Sequence, residues 1–124
     1  MLIVEMDIEA FREYCLTKPG STEELPFDES TLVFKVMGKI FALTNLDNFP
    51  FSVNLKCEPE KAIQLRERHA GVQPGYHMNK VHWNTVRVDE SVSERELCEW
   101  IDDSYQLVVS KLTKAQQRSL EGFQ

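Results

Sequence analysis

Phe51, Val53 and Leu55 alternate with Ser52, Asn54 and Lys56, and this period of two constrains the fold more than any other stretch. Successive side chains of a strand point to opposite faces, so the pattern demands a strand with one face covered and the other wet. Upstream, Thr31 to Met37 is rich in β-branched and aromatic residues, with Leu32, Phe34 and Val36 alternating against Val33 and Lys35. Gly38-Lys39 turns the chain into Ile40-Phe41-Ala42-Leu43, which predicts a β-hairpin. Half-wet strands joined by hairpins belong to an antiparallel sheet, and its dry face needs helices.

Three helical patterns supply them. Asp7 is a good N-cap for a helix to about Thr17, with Ile8, Phe11 and Cys15 on one face and Lys18-Pro19-Gly20 as the stop. Pro59 suits a first helical position, Ala62 and Leu65 form the inner side, and the helix is expected to end near His69 with Gly71 as its stop. Ser93 and Glu96 form a capping box before a long helix whose face is traced by Leu97, Trp100, Ile101, Tyr105, Val108 and Leu112. Between these, Ser21 to Phe27 is extended, and Pro26 restricts it to an edge strand or a loop. Residues 45–50 read as a loop, Gln73-Pro74-Gly75 as a break, and Trp83 to Val88 as a strand; the tail after Lys114 is polar and is expected to fray. The expectation is one α+β domain over residues 1–124, a two-layer sandwich of an antiparallel sheet with helices, its core at about 7–112. A chain of 124 residues can bury enough surface without a disulfide or metal staple.

The chemistry of the chain narrows its function by exclusion. No apolar run approaches the roughly 20 residues that a membrane helix requires, and the opening residues lack the basic region of a signal peptide. Cys15, Cys57 and Cys98 are odd in number and far apart, which predicts reduced thiols in a cytoplasmic protein. His69, His77 and His82 do not have the spacing of a two-histidine helical metal site. There is no Gly-x-Ser-x-Gly elbow and no glycine-rich phosphate cradle. Cys57, at the end of an alternating strand, reads as structural rather than nucleophilic. Glu23-Glu24 and Asp102-Asp103 are sequence neighbours; on a helix such neighbours diverge by about 100°, so solvated charge is expected rather than an acid–base couple. Neither an enzyme nor a cofactor is expected.

The stretch from Pro74 to Val86 holds the densest mixture of polar and aromatic groups. The net charge of −6 is also uneven: residues 1–55 carry −5, residues 56–88 carry +3 and residues 89–124 carry −4. Lysine and arginine position phosphates, amides read base edges, and aromatic rings stack on bases. Lys56, Lys80 and Arg87 are therefore candidate phosphate contacts, with Tyr76, His77, Asn79, His82, Trp83 and Asn84 lining the contact. If the strand is regular from Trp83, then Trp83, Thr85 and Arg87 share the face opposite Val86 and Val88; in the competing arrangement a loop or the core covers Trp83.

Pro74-Gly75-Tyr76-His77-Met78-Asn79-Lys80 followed by His82-Trp83-Asn84-Thr85-Val86 resembles the signature of the YjbR/MmcQ-like family of small bacterial proteins. Phe27, Leu32 to Val36 with Gly38-Lys39, Asn54-Leu55-Lys56, and Asp102-x-Ser104-Tyr105 with Val108-Val109 extend the likeness from about Ile8 to Leu112. Glu58 stands where the family has aspartate before the helix proline. The resemblance implies an α+β fold similar to that of type III secretion chaperones, a double-wing-like DNA-binding role, and no enzymatic activity or cofactor. Two other readings stand beside weak, salt-dependent DNA binding. One is a module for a protein or peptide partner. In the other, the signature is a buried polar network pinning the loop between the second helix and the last strand.

Overall fold

The computed structural model describes residues 7–47, 51–75, 78–88 and 92–122. In chain order they form α1 (Ile8–Leu16), β1 (Ser21–Glu24), β2 (Thr31–Val36), β3 (Lys39–Asn45), β4 (Ser52–Lys56), α2 (Pro59–Arg68), β5 (Val72–Pro74), β6 (Trp83–Arg87), α3 (Glu94–Ser110) and α4 (Lys114–Glu121). The strands make one sheet in the order β1-β2-β3-β4-β6-β5, every neighbouring pair antiparallel. This is the α+β architecture that the alternation demanded. The hairpin between β2 and β3 turns on Met37 and Gly38, both at positive φ (48° and 77°), one residue earlier than expected. Two such residues match the twist of the flanking strands.

Register separates the two faces. Leu32, Thr44, Val53, Val86 and Val72 form one row across the sheet, and Phe34, Ala42, Leu55 and Asn84 another; these rows are buried beneath the helices. Phe11 of α1 meets Phe34 edge-on at 5.5 Å between ring centres, and Tyr105 of α3 meets Phe41 likewise at 5.3 Å. The intervening row, Val33, Leu43, Asn54 and Thr85, points to the opposite, outer face.

A register shift in the β2–β3 pairing interrupts the ladder near Phe41. The β3–β4 pairing stops at Ala42 and Leu55, leaving the Phe41 carbonyl and the Lys56 N–H without the strand partners that a continued ladder would give. The fully buried Ser104 fills this gap: its hydroxyl donates to the Phe41 carbonyl and accepts from the Lys56 N–H at 2.8 Å. Ser104 therefore ties α3 to two strands at a point where a buried backbone would otherwise lack partners.

Three sequence expectations need correction. The tail after Lys114 is helical: Thr113 and Gln116 form a second capping box, and Leu120 is buried in the core. Polarity hid it, because a helix can be held by its cap and a single apolar anchor. The supposed break at residues 73–75 contains β5, an edge strand where proline is tolerated. His69, not Gly71, ends α2 by turning extended, and the Gly71 carbonyl instead accepts from the Arg87 N–H at 2.8 Å.

Candidate functional site

The signature occupies the connection between β5 and β6. Gly75 closes its base, donating its N–H to the Trp83 carbonyl at 2.8 Å; a Cβ at Gly75 would lie 2.8 Å from the Trp83 Cβ, so a side chain there would force the strands apart. The Asn79 side-chain oxygen accepts the N–H groups of Val81 and His82 at 2.9 and 3.3 Å, shaping a turn as asparagine commonly does. The Trp83 N–H donates to the Asn79 carbonyl at 2.9 Å, and the Lys80 ammonium donates to the Gly75 carbonyl at 3.0 Å.

Arg66 of α2 anchors this loop from outside. Its Nε donates to the Asn84 side-chain oxygen at 2.7 Å, and its Nη2 donates to the carbonyls of Lys80 and Trp83, the latter at 3.3 Å. Asn84 completes the link by donating to the Ala62 carbonyl at 3.3 Å, one turn before Arg66. In the sequence Arg66 stands out only as one of the positive charges of residues 56–88. The signal for its role was its position directly after the inward-facing Leu65, at the end of α2 nearest the signature.

The expected DNA contacts thus separate. Asn84 is corrected outright: at 2% exposure it faces the core and holds α2 to β6, so it cannot line a contact. Lys80 and Asn79 are exposed residues whose polar groups serve their own loop. His82 is exposed, and its carbonyl accepts from the Cys57 N–H at 2.8 Å. Trp83 is half-buried on the outer face, cross-strand from Lys56, and the exposed Arg87 lies on the same face four residue pairs along. Tyr76 and His77 lie outside the described residues.

The remaining chemical candidates have structural work. His69 packs edge-on against Trp100 at 5.1 Å, with Nε2 3.3 Å from Glu96. Among the described residues, no three His, Cys, Asp or Glu side chains come together as a metal site. Burial pushes the Cys57 thiol upward, away from the thiolate that a nucleophile needs. Asp102 and Asp103 diverge as expected of helix neighbours, yet they are not simply solvated. Asp102 pairs with Lys18 and accepts from the Tyr14 hydroxyl at 2.7 Å, tying α3 to α1 and the residues after it, whereas Asp103 pairs with Lys61 of α2 at 2.5 Å.

The outer face carries a feature that composition did not reveal. A trough of about 460 Å³ crosses it, with Leu43, Asn54 and Thr85 along its floor, Ile40 beside them, and Phe27 and Met78 contributed by the loops on either side. Phe27 is 68% exposed. Val33 is fully buried although it points to this face, and it stands outside the main core cluster.

The YjbR family model matches residues 16–107. The chain is similar to YjbR of Escherichia coli K12, 35% identical over 116 residues that span 93% of this chain and 98% of that one. It is similar also to YbdF of Escherichia coli O157:H7, 44% identical over 75% of this chain and 76% of that one. Among solved structures, a Deinococcus radiodurans protein with a DUF419 domain superposes with a TM-score of 0.89 at 40% identity, covering 97% of this chain and 92% of that chain. A Pseudomonas syringae protein superposes with a TM-score of 0.71 at 28% identity, covering 82% and 98%.

Proposed function

The chain belongs to the YjbR family, and from that premise we propose that it acts as a non-catalytic protein-interaction module whose contact surface is the outer face of the sheet. The signature loop is then the scaffold of that surface. The observation that carries this reading is Phe27, a large aromatic side chain left mostly in water beside an apolar trough. Exposed Leu25 and Leu46 lie on the connections that follow β1 and β3, and these connections are joined by the Leu46 N–H donating to the Ser30 carbonyl at 2.7 Å. Apolar groups gathered beside polar strands are characteristic of contact sites.

Photo-crosslinking in living cells tests the reading. With p-benzoylphenylalanine in place of Phe27, a discrete crosslinked partner is expected. At Ile63, an exposed apolar position on α2, none is expected. A partner captured from Ile63 and not from Phe27 would overturn the proposal.

DNA contact is a second reading, supported by Lys56, Trp83 and Arg87 sharing the outer face. Against it stand the net charge of −6 and the engagement of Lys80 and Asn84 within the fold. Anisotropy titration with duplex and single-stranded DNA at low salt separates the readings. Binding tighter than about 100 µM that weakens with salt and is lost in Lys56→Ala would favour DNA; the protein-contact reading predicts no such binding.

A further inference from the structure

We infer that the outer-face trough is a site for a compact, uncharged, mostly apolar small molecule carrying a carbonyl acceptor, whose polar end is held by the Asn54 amide. This goes beyond the protein-contact reading and stands on the trough itself. Its volume of about 460 Å³ lies in the range of small-molecule pockets, which are mainly apolar with a few placed polar groups. Phe27, Ile40, Leu43 and Met78 supply apolar surface, and Met78 can adapt its shape to an occupant. The polar residues that line it, among the described residues, are threonine, serine and asparagine, none of them ionisable. Lys56 and Arg87 share this face but are not among the residues lining the trough, so an ionic group seated in it would lose its hydration without meeting a counter-charge in the lining, and the complementary ligand is uncharged.

Asn54 gives the site its direction. It stands mid-sheet between Leu43 and Thr85. The Thr85 hydroxyl donates to the Asn54 side-chain oxygen, and in this arrangement the amide's NH₂ is a donor. No acceptor for that NH₂ is found among the described residues. A ligand carbonyl is the matching group.

An extended peptide fits less well. The strands under the trough, β3 and β4, are hydrogen-bonded to neighbours on both sides, so they offer no free edge for another strand. Each peptide residue would bring one N–H and one C=O into a space with few polar partners. A compact molecule with one acceptor brings a single demand, and the Asn54 amide meets it.

Two uncharged fluorescent probes test this: propionyl-dimethylaminonaphthalene (Prodan), which has a ketone, and N-phenylnaphthylamine, which has none. Both are expected to bind saturably at one site, and both should weaken at least about tenfold in Leu43→Arg and in Phe27→Ala, with melting curves confirming that each variant is folded. Asn54→Leu is expected to weaken Prodan about tenfold, the effect of one lost hydrogen bond, and to leave N-phenylnaphthylamine within about twofold. Non-saturable binding, an unchanged Prodan affinity in Asn54→Leu, or equally tight binding of anionic anilinonaphthalene sulfonate would each overturn the inference. Crosslinking from Phe27 that persists when the probes fail would leave the protein-contact reading standing while this one falls.

Discussion

Ser104 shows how one side chain can hold an architecture. Its hydroxyl stands between the Phe41 carbonyl and the Lys56 N–H where the ladder is interrupted. Removing it leaves two buried backbone groups unpaired, each costing about 1–3 kcal/mol. Ser104→Ala is therefore expected to lower the unfolding free energy by about 2–4 kcal/mol in urea titration; a loss below about 0.5 kcal/mol would mean that the backbone re-pairs without it. At this scale the sequence was legible where local spacing governs. The Ser93–Glu96 box forms as read, and Trp83 takes the outer face together with Arg87. It was not legible where partners are far apart in the chain. Asn84 looked like a polar contact residue because Arg66, 18 positions earlier, is what makes its burial tolerable.

Among the elements, α4 and β5 were hidden for the same reason: each depends on a neighbour more than on its own pattern. Leu120 anchors α4, and the Gln117 side-chain amide donates to the carbonyls of Val109 and Leu112 at 2.9 and 3.2 Å. Leu120→Ala should cost about 2 kcal/mol by denaturant titration; an unchanged midpoint would return α4 to the status of a tail. The joint between α1 and β1 has a pH signature. Arg12 forms a two-pronged pair with Glu23, both contacts at 2.6 Å, and its hydrogen bond holds the Glu23 carboxyl below its ordinary value. A carboxylate with a depressed folded-state pKa stabilises above its unfolded pKa, and this stabilisation is lost as pH falls through the folded value. The stability difference between wild type and Arg12→Ala is therefore expected at neutral pH and should shrink below about pH 4.5. A difference that is constant from pH 7 to pH 3 would contradict the pairing.

At the scale of the molecule, the sheet has two unlike faces. One is sealed by helices, and the other bears the trough. The period-two pattern made the sealing legible, because a strand that alternates must cover one side. The trough was not legible, since Phe27, Leu43, Asn54 and Met78 come together only through strand order and loop path. The basic island likewise looked like a surface until its members were placed: Arg66 and Lys80 spend their donors inside the signature, while Lys56 and Arg87 remain on the outer face. The central claim is that the signature holds the fold and the outer face is left available for contact. Urea unfolding of Arg66→Ala and Phe27→Ala, side by side with wild type, tests it most directly. A loss of about 2–3 kcal/mol is expected for Arg66→Ala, which strips the Asn84 side chain and the Lys80 and Trp83 carbonyls of a charged donor. A change within about 0.5 kcal/mol is expected for Phe27→Ala at that exposed position. An Arg66→Ala variant as stable as wild type, or a Phe27→Ala variant destabilised as strongly as Arg66→Ala, would contradict it.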